Sequence, residues 1–302
     1  MNTYELTVEE DYENERIDRY IRDALADFSR SYIQKLIDSE DITSNGHIVK
    51  ASYRVRTNDR ITVITPDSVI PEIIPENIPL DILYEDSDVL VVNKPKGMVV
   101  HPAPGHYEHT LVNAIMYHCQ NSLSGINGVM RPGIVHRIDK DTTGSLIICK
   151  NDFSHERIAA QLKEHSIKRE YMAIVTGVME DDLGTIDKPI KRSSQNRLKM
   201  AVAPDGKRAV THYKTLKRSD KFTLIKCRLE TGRTHQIRVH MASEGHPLAG
   251  DELYGNGAKT PVDTCGQALH AQSLGFIHPR TDEYIELIAP LPEYFEHFIN
   301  FF

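Results

Sequence analysis

The sequence predicts an α+β fold in which a large mixed, mainly antiparallel sheet follows a small N-terminal α/β module. Three observations support this class. Short apolar, strand-like runs follow one another through most of the chain, and long helical patterns between them are scarce. A proline-rich segment separates these runs from the N-terminal part. In that N-terminal part, two short helical patterns precede a tight-turn signal.

The expected domain boundary lies in the proline-rich segment. Residues 66–79 contain four prolines, which exclude a regular helix and favour an extended connector. A chain of 302 residues is long enough for two unequal domains. We therefore expect a small module in residues 1–75, which include the start of the connector, and a larger domain in residues 80–302.

The small module is expected to contain two helices and a hairpin. Apolar residues recur at helical spacing in Arg16–Leu25 and again in Ser31–Ser39. A serine at position 29 or 31 is the expected N-cap of the second helix. The dipeptide Asn45-Gly46 is typical of a tight hairpin turn, and Ile61–Val63 is expected to add a strand.

The larger domain is expected to consist mainly of strands. A helix capped by Asn151 or Asp152 is expected to run to about His165. Thr234 is expected to cap a second helix. The strands are expected at Asp88–Asn93, Ile134–Val135, Leu146–Lys150, Tyr171–Val178, Ala209–Leu216 and Phe222–Leu229.

Charge is distributed unevenly along the chain. The net charge is −7, which by itself argues weakly against a nucleic-acid partner. Residues 160–240, however, hold 18 Lys and Arg against 9 Asp and Glu, a local balance of +9. This concentration indicates a surface that binds a polyanion. The alternative is that these cations only solvate exposed strand faces, and charge alone favours neither interpretation.

Composition points to a protein of a reducing compartment. The N-terminus is acidic and lacks the apolar core of a signal peptide, and the apolar runs are too short to span a membrane. The four cysteines are far apart, without a CxxC pair, so we expect free thiols and a cytoplasmic location. His101, His106 and His109 form the one histidine cluster worth weighing as a metal site, but their loop context argues against it.

Polar residues are most concentrated between Gly133 and Gly144. An apolar run ends there in His136, Arg137 and Asp139, and further Asp and Thr residues follow before the next strand. Polar groups on a loop between two buried strands suggest a functional site on a rigid scaffold. The alternative is a solvated hairpin tip, for which Asp, Thr and Gly are all common.

Two further segments carry candidate site residues. In Leu229–His240 a glycine turn opens a helix that contains Arg233 and Arg238, and Arg238 is able to hold a carboxylate in its ionised form. The alternative is an amphipathic helix with surface cations. Tyr171, early in a strand, is either half-buried core or a ring presented to a planar ligand.

These segments resemble a known family. His136–Gly144 is similar to the catalytic HRLD-x-x-T-[ST]-G motif of the RluA family of pseudouridine synthases, with Ile138 in place of the more common Leu. Three other segments resemble motifs of that family in the same order along the chain: Leu83–Asp86 with Val91–Pro102, Arg169–Tyr171, and Gly232–His240.

The N-terminal module resembles an S4 RNA-binding domain. Its marks are Arg16–Asp18, Ser29–Ser31 and the Asn45-Gly46 turn. The resemblance therefore implies that Arg30 and Lys35 contact RNA. Together with this module, four segments look most like the RluD-type branch, which modifies large-subunit ribosomal RNA: Lys191, Lys199–Val202, Gly206-Lys207 and Ala209–Tyr213.

The resemblance also implies a chemistry. Asp139 would be the essential carboxylate, Arg238 its compensating charge, and Tyr171 the ring that stacks on the target uracil. Arg137 would enter the space that the uridine vacates. Pseudouridine formation involves no redox change, so no cofactor is expected. His136, Arg233 and Lys199 complete the residues expected to contact RNA.

Other functions remain open at this stage. Transfer RNA is the alternative substrate, and the chain is expected to act as a monomer. A non-catalytic RNA-binding or ribosome-assembly factor on the same fold is a second possibility. A hydrolase or nuclease that uses His136 with Asp139 is a third, and it would release free base or cut the RNA chain.

Overall fold

The computed structural model describes residues 2–66, 73–103, 106–120, 122–128, 130–255 and 257–302. The chain divides into two compact units, Met1–Pro71 and Glu72–Phe302. Part of the predicted proline-rich connector, residues 67–72, lies outside the described residues. Its remainder, residues 73–79, belongs to no helix or strand.

The first unit combines two helices with a small antiparallel sheet whose strand order is β1-β4-β2-β3. Its elements are β1 (Asn2–Thr7), α1 (Ile17–Ala24), α2 (Arg30–Asp38), β2 (Ile42–Ser44), β3 (His47–Ile48) and β4 (Arg60–Thr65). The apolar faces of both helices pack on β2 and β4 to form one core. This core accounts for the helical spacing of the apolar residues in the sequence.

The expected elements of this unit are confirmed. Ser29 is the N-cap of α2, since its hydroxyl accepts the Tyr32 N–H at 3.2 Å. The Asn45-Gly46 turn joins β2 to β3 in antiparallel pairing. Strand β1 was not predicted: it pairs with β4, and its alternation is short, with only Tyr4 and Leu6 half-buried against the core.

The second unit is built on a nine-stranded sheet, which confirms the predicted α+β class. Its path is β5-β6-β7-β14-β8-β13-β12-β9, with β15 paired to β14, and only β7 and β14 are parallel. A separate hairpin is formed by β10 and β11. The strands are β5 (Ile82–Glu85), β6 (Val89–Lys94), β7 (Thr143–Cys149), β8 (Lys168–Thr176), β9 (Leu183–Asp187), β10 (Ile190–Arg192), β11 (Met200–Val202), β12 (Val210–Arg218), β13 (Phe222–Leu229), β14 (Leu269–Ile277) and β15 (Tyr284–Ile288).

Helices cover both faces of this sheet. Helices α3 (Leu111–Cys119) and α5 (Gln236–Ser243) pack on one face, and α4 (Asp152–Lys163) and α6 (Glu293–Ile299) pack on the other. Among the described residues, no helix is long and apolar enough to cross a membrane. The polar loop between residues 134 and 142 lies on the side of α3 and α5, beside the parallel pair β7–β14.

A glycine allows the two central strands to approach each other. Gly144, with φ +108°, lies where β7 pairs with β14, and an added Cβ atom would stand 2.2 Å from the Ala271 carbonyl oxygen. No other residue fits at this distance without moving one strand. The glycine thereby fixes the position at which the polar loop ends and β7 begins.

Two of the predicted elements were wrong in detail. Ile134–Val135 is not a strand: Ile134 makes a single bridge to Ile148, because the preceding Gly133 has φ +69° and the polar loop follows at once. Thr234 does not cap α5: the N-cap is His235, in the left-handed region with φ +55° and no side-chain cap. The cap of α4 is confirmed as Asn151, whose side chain accepts the Ser154 N–H.

Candidate active site

An open cavity of about 740 Å³ lies on the α3 and α5 side of the sheet. Its walls come from three segments that are distant in sequence: the polar loop, the start of β8, and the turn between β13 and α5. Six residues singled out from the sequence line it: His136, Arg137, Asp139, Tyr171, Arg233 and Arg238. The fold therefore brings the predicted catalytic residues together.

The polar loop is fastened to the sheet on both sides of Asp139. Ile138 is buried in the main core, and the Thr142 N–H donates to the Asp139 carbonyl at 3.0 Å. His136 accepts the Ile147 N–H through Nε2 at 3.1 Å. Burial, with a smaller effect of Arg169, lowers the pKa of His136 to about 3. His136 is therefore neutral and carries its proton on Nδ1.

Lys94, at the end of β6, holds the polar loop in place through hydrogen bonds to backbone carbonyls. Its side chain is fully buried, and its ammonium donates to the carbonyls of Pro95, Met98 and Lys140 at 2.7, 2.9 and 2.9 Å. Three carbonyls match the three N–H groups of a charged lysine. Sequence reasoning named Lys94 only as part of a motif, because a lysine after an apolar strand usually reaches solvent.

The pH dependence of the free energy of unfolding should reveal the lowered pKa of Lys94. Burial, partly offset by the charges of Asp141 and Asp139, lowers the Lys94 pKa to about 7. The unfolded chain then binds more protons between pH 7 and about 10.5. Relative to Lys94→Met, the wild type should therefore gain stability as pH rises through this window, by about 2–3 kcal/mol at pH 9.

The measurement is denaturant unfolding followed by circular dichroism at pH 6.5 and 9. At pH 6.5 Lys94→Met should already be destabilised by about 2–4 kcal/mol, because three buried carbonyls lose their donor. Lys140→Met, an exposed lysine of the same loop, is the control and should change little at either pH. A constant difference between wild type and Lys94→Met across the two pH values would contradict the lowered pKa.

Asp139 is held in an ion-pair network that reaches into the core. The Nη1 group of Arg238 donates to Asp139 Oδ2 at 2.9 Å. The same guanidinium binds Asp251 through two bonds, from Nε at 2.7 Å and from Nη2 at 2.9 Å. The Asp251 side chain is fully buried, whereas that of Asp139 is 17% exposed to the cavity. Arg238 thus fixes one oxygen of Asp139 and leaves the other accessible.

Charge explains why this network keeps Asp251 ionised in the core. Burial acts to lower the pKa of Arg238, but the hydrogen bond and charge of Asp251, together with Asp139, raise it well above the ordinary value. Burial acts to raise the pKa of Asp251, yet Arg238 and the N–H groups of Tyr254 and Leu253 bring it below the ordinary value. Asp251, which sequence reasoning missed, is the residue that orients Arg238.

His235 and Tyr254 form a second contact with this network. The Tyr254 hydroxyl accepts the Met200 N–H at 2.7 Å and lies 2.8 Å from His235 Nδ1. The Tyr254 hydroxyl then donates its proton to His235 Nδ1. The His235 ring therefore carries its own proton on Nε2. That atom lies 3.9 Å from Asp139 Oδ1, the oxygen that Arg238 does not bind. The Tyr254 ring also lies against the Arg238 guanidinium, 5.1 Å away.

This arrangement predicts the tautomer of His235. Burial acts most strongly on its pKa and, despite the charge of Asp139, lowers it below the ordinary value, so the ring is neutral at pH 7. In ¹⁵N-histidine NMR spectra, we expect the His235 signals of a proton on Nε2, assigned through their loss in His235→Gln. Tyr254→Phe removes the donor to Nδ1 and should shift the signals toward the other tautomer.

The matched control is Tyr213→Phe, a half-buried tyrosine that does not line the cavity. It should leave the His235 signals unchanged. Finding the proton of wild-type His235 on Nδ1 would show that the hydroxyl of Tyr254 accepts from the ring instead.

Tyr171 forms the wall opposite the helix. It lies in β8, paired with Cys227 of β13 and Ala271 of β14, and is 7% exposed. Burial raises its pKa, so the phenol is protonated at neutral pH. The rigid strands on both sides fix the ring, which is the requirement for stacking against a planar ligand.

The remaining cations lie at the cavity rim or elsewhere. Arg137 is exposed and donates to His101 Nε2 at 3.4 Å, and the exposed Arg233 binds the Arg208 carbonyl at 2.9 Å. Burial, with the nearby Arg137 and Arg131, lowers the pKa of His101 to about 4. Lys199 does not line the cavity, but its ammonium lies 5.8 Å from the Tyr254 ring.

Two predicted RNA contacts belong to the first unit. Arg30 and Lys35 lie on α2, and both side chains are exposed. Arg30 makes a 3.4 Å ion pair with the buried Asp18. Both cations are therefore available at the surface of that unit.

One cluster of potential metal ligands occurs among the described residues, away from the cavity. Asp86, Asp88 and His278 place ligand atoms within 4.8 Å of one another. Protein groups already occupy them, since Arg280 Nε donates to Asp88 at 2.6 Å and His278 Nε2 to Asp86 at 2.7 Å. The cluster is best explained as a structural ion-pair group.

The cavity therefore offers one carboxylate with a free oxygen, a fixed aromatic ring beside it, and a lining rich in cations. Six Lys or Arg side chains and one carboxylate contribute to its walls. A carboxylate in this setting is able to act as a nucleophile or as a base. The surrounding charge favours an anionic substrate.

Comparisons with known proteins agree with the resemblance seen in the sequence. The family model described as RNA pseudouridylate synthase matches residues 88–243, and the S4 domain model matches residues 15–61. The Bacillus subtilis protein named uncharacterized RNA pseudouridine synthase YlyB is 53% identical over 293 residues, which are 97% of this chain and 96% of that protein.

A second relative carries a more specific name. The ribosomal large subunit pseudouridine synthase D of Zymomonas mobilis is 47% identical over 303 residues, covering 97% of this chain and 95% of that protein. Among solved structures, human RNA pseudouridylate synthase domain containing 1 matches with a TM-score of 0.58 and 25% identity. The match covers 76% of this chain and 87% of the human one.

Proposed function

This chain belongs to the RNA pseudouridylate synthase family, and from that premise we propose that it converts specific uridines of large-subunit ribosomal RNA to pseudouridine with Asp139 as the catalytic carboxylate. One observation carries the assignment of Asp139. It is the only carboxylate among the described residues that line the cavity, and Arg238 binds one of its oxygens and leaves the other free.

The reaction breaks the bond between N1 of uracil and C1′ of ribose, turns the base, and joins C5 to C1′. The C5 proton is lost and N1 gains a proton, so the product is an isomer of the substrate. Asp139 acts either by attack on the nucleoside or as the base that removes the 2′-proton, and its free Oδ1 serves both routes. Tyr171 stacks on the uracil and directs the transfer of the C5 proton.

RNA binding is divided between the two parts of the chain. Residues 1–75 act as an S4-like RNA-binding domain through Arg30 and Lys35, and residues 80–302 carry the catalysis. In the catalytic part, Arg233 and Lys199 hold phosphates, and Arg137 fills the space left by the flipped uridine. His136 stays a predicted RNA contact, since it lines the cavity while its Nε2 accepts the Ile147 N–H.

The protein acts as a monomer in the cytoplasm. Its four cysteines are free thiols, as the sequence predicted, and three of them are buried. Free thiols are normal in a reducing compartment. The name of the Zymomonas mobilis relative supports large-subunit ribosomal RNA as the substrate.

The test is a map of pseudouridine in ribosomal RNA from a strain that lacks the gene. Carbodiimide-dependent primer-extension stops should disappear at specific large-subunit positions and return when wild-type protein is supplied. Stops that persist throughout ribosomal RNA but vanish in transfer RNA would reassign the substrate. Stops that persist in both RNAs would instead favour a non-catalytic RNA-binding role.

A further inference from the structure

Arg169 is a buried cation without a carboxylate partner. It lies in β8, two residues before Tyr171, and is 8% exposed at the cavity wall. Among the described residues, no carboxylate lies within ion-pair distance, and its Nε–H is buried without an acceptor. Its one hydrogen bond there runs from Nη2 to the Glu230 carbonyl at 3.1 Å.

This arrangement is costly for the isolated protein. A guanidinium keeps its charge in proteins and carries five N–H donors. Removing such a charge from water costs several kcal/mol unless an anion or full hydrogen bonding offsets the loss. Arg238, across the same cavity, has two carboxylates in contact, whereas Arg169 has one backbone carbonyl. Arg169 therefore has the charge and the free N–H donors to bind an anion that the protein does not supply.

The turn before α5 leaves room for the Arg169 guanidinium at the cavity wall. At Gly232, in the turn before α5, an added Cβ atom would lie 2.7 Å from Arg169 Nη1, so a side chain there would displace the group. Residues two apart on a strand project from the same face, about 7 Å from each other. Arg169 and Tyr171 thus stand side by side on the cavity wall.

We propose that Arg169 forms a phosphate subsite that binds one phosphate of the RNA backbone next to the target uridine. The proposal rests on the function proposed above, since Tyr171 beside it receives the base. A phosphate supplies the missing negative charge, and its oxygens match the planar fork of an arginine. A uracil carbonyl would satisfy donors but leave the buried charge without an opposite charge. Arg169 is a binding residue rather than part of the bond-breaking machinery.

The experiment measures single-turnover release of tritium from an unmodified large-subunit ribosomal RNA transcript labelled at uracil C5, at several KCl concentrations. Arg169→Gln should raise the RNA concentration for half-maximal rate about 10–100-fold, with little change in the maximal rate. It should also make the plot of log affinity against log KCl concentration shallower by about one unit of slope, which is the contribution of one phosphate contact. Arg169→Lys retains the charge and should retain the slope.

The control is Arg228→Gln, which removes an exposed cation that does not line the cavity, on the adjacent strand β13. It should leave the half-maximal concentration within about threefold of wild type. Absence of tritium release by the wild type would reject the proposed function. Release by the wild type, with an unchanged half-maximal concentration and slope in Arg169→Gln, would reject the phosphate subsite alone.

A second measurement uses the wild-type protein and so does not depend on the folding of the Gln variant. The ¹⁵N signal of the Arg169 Nε–H group is assigned by its loss in Arg169→Lys. Uridine monophosphate should shift this signal, and uridine should not. Equal shifts with both ligands would mean that Arg169 reads the base, and no shift with either would mean that the guanidinium is structural; each result overturns the proposal.

Discussion

Asp139→Asn should reduce pseudouridine formation by about 10³-fold or more while leaving the fold intact. The substitution keeps the shape of the side chain and an acceptor for Arg238, but it removes the negative charge needed for either route. The fold should tolerate the change, because Asp251 still neutralises Arg238 and Asp139 is partly exposed to the cavity. Tritium release from labelled RNA measures the first effect, and thermal unfolding measures the second.

The matched control is Asp141→Asn in the same loop, two residues further along. Asp141 does not line the cavity, so its substitution should leave turnover within about tenfold of wild type. Equal losses in both variants would indicate that the loop needs negative charge in general. Retention of turnover by Asp139→Asn would remove Asp139 from the chemistry altogether.

The candidate site was predictable where its residues are close in sequence. His136, Arg137 and Asp139 lie within one loop, and Arg233 and Arg238 lie within one turn and helix. In both stretches the polar residues stand out against flanking apolar runs. Local rules also predicted the caps Ser29 and Asn151 and the Asn45-Gly46 hairpin, although not the cap of α5, since a capping side chain bonds to a backbone N–H only two or three positions away.

Other parts of the fold carried no local signal. Strand β14 lies at the centre of the large sheet, but Leu269–Ile277 is buried on both faces and therefore does not alternate. Helix α3 is apolar on nearly all sides for the same reason. The short strands β9, β10 and β11 depend on pairing with distant partners, which a single sequence does not reveal.

The supporting residues of the site were missed for a related reason. Asp251 lies 13 residues beyond Arg238, in a turn whose composition is that of an ordinary surface loop. Lys94 and Tyr254 act through backbone groups and through other side chains, not on the cavity directly. Such supporting roles depend on three-dimensional contacts. Motif spacing therefore identified the residues that face the cavity better than the residues that hold them in position.

The greatest loss of stability is expected when Asp251 is replaced. Asp251→Asn keeps one acceptor for the buried Arg238 but removes the negative charge and the second of the two bonds, a change that costs about 3–5 kcal/mol in comparable buried pairs. For a unit of this size, that corresponds to a fall in Tm of about 10 °C. Circular dichroism is the appropriate probe, because the chain contains no tryptophan.

The same change should also impair turnover, although Asp251 is remote from the substrate. With Asp251 lost, the free donors of Arg238 find their nearest charged acceptor in Asp139 and engage both of its oxygens. The accessible oxygen is then no longer available, so turnover should fall about 100-fold at temperatures where the variant remains folded. Asp251→Glu retains the charge and should recover part of both losses.

Glu252→Gln provides the comparison, because it removes a neighbouring exposed carboxylate without touching Arg238. Its Tm should lie within about 2 °C of wild type, and its turnover should be unchanged. If Asp251→Asn proved unstable but fully active when folded, Asp251 would serve the fold alone. The orientation of Arg238 toward Asp139 would then have to come from Tyr254, whose ring lies against the same guanidinium.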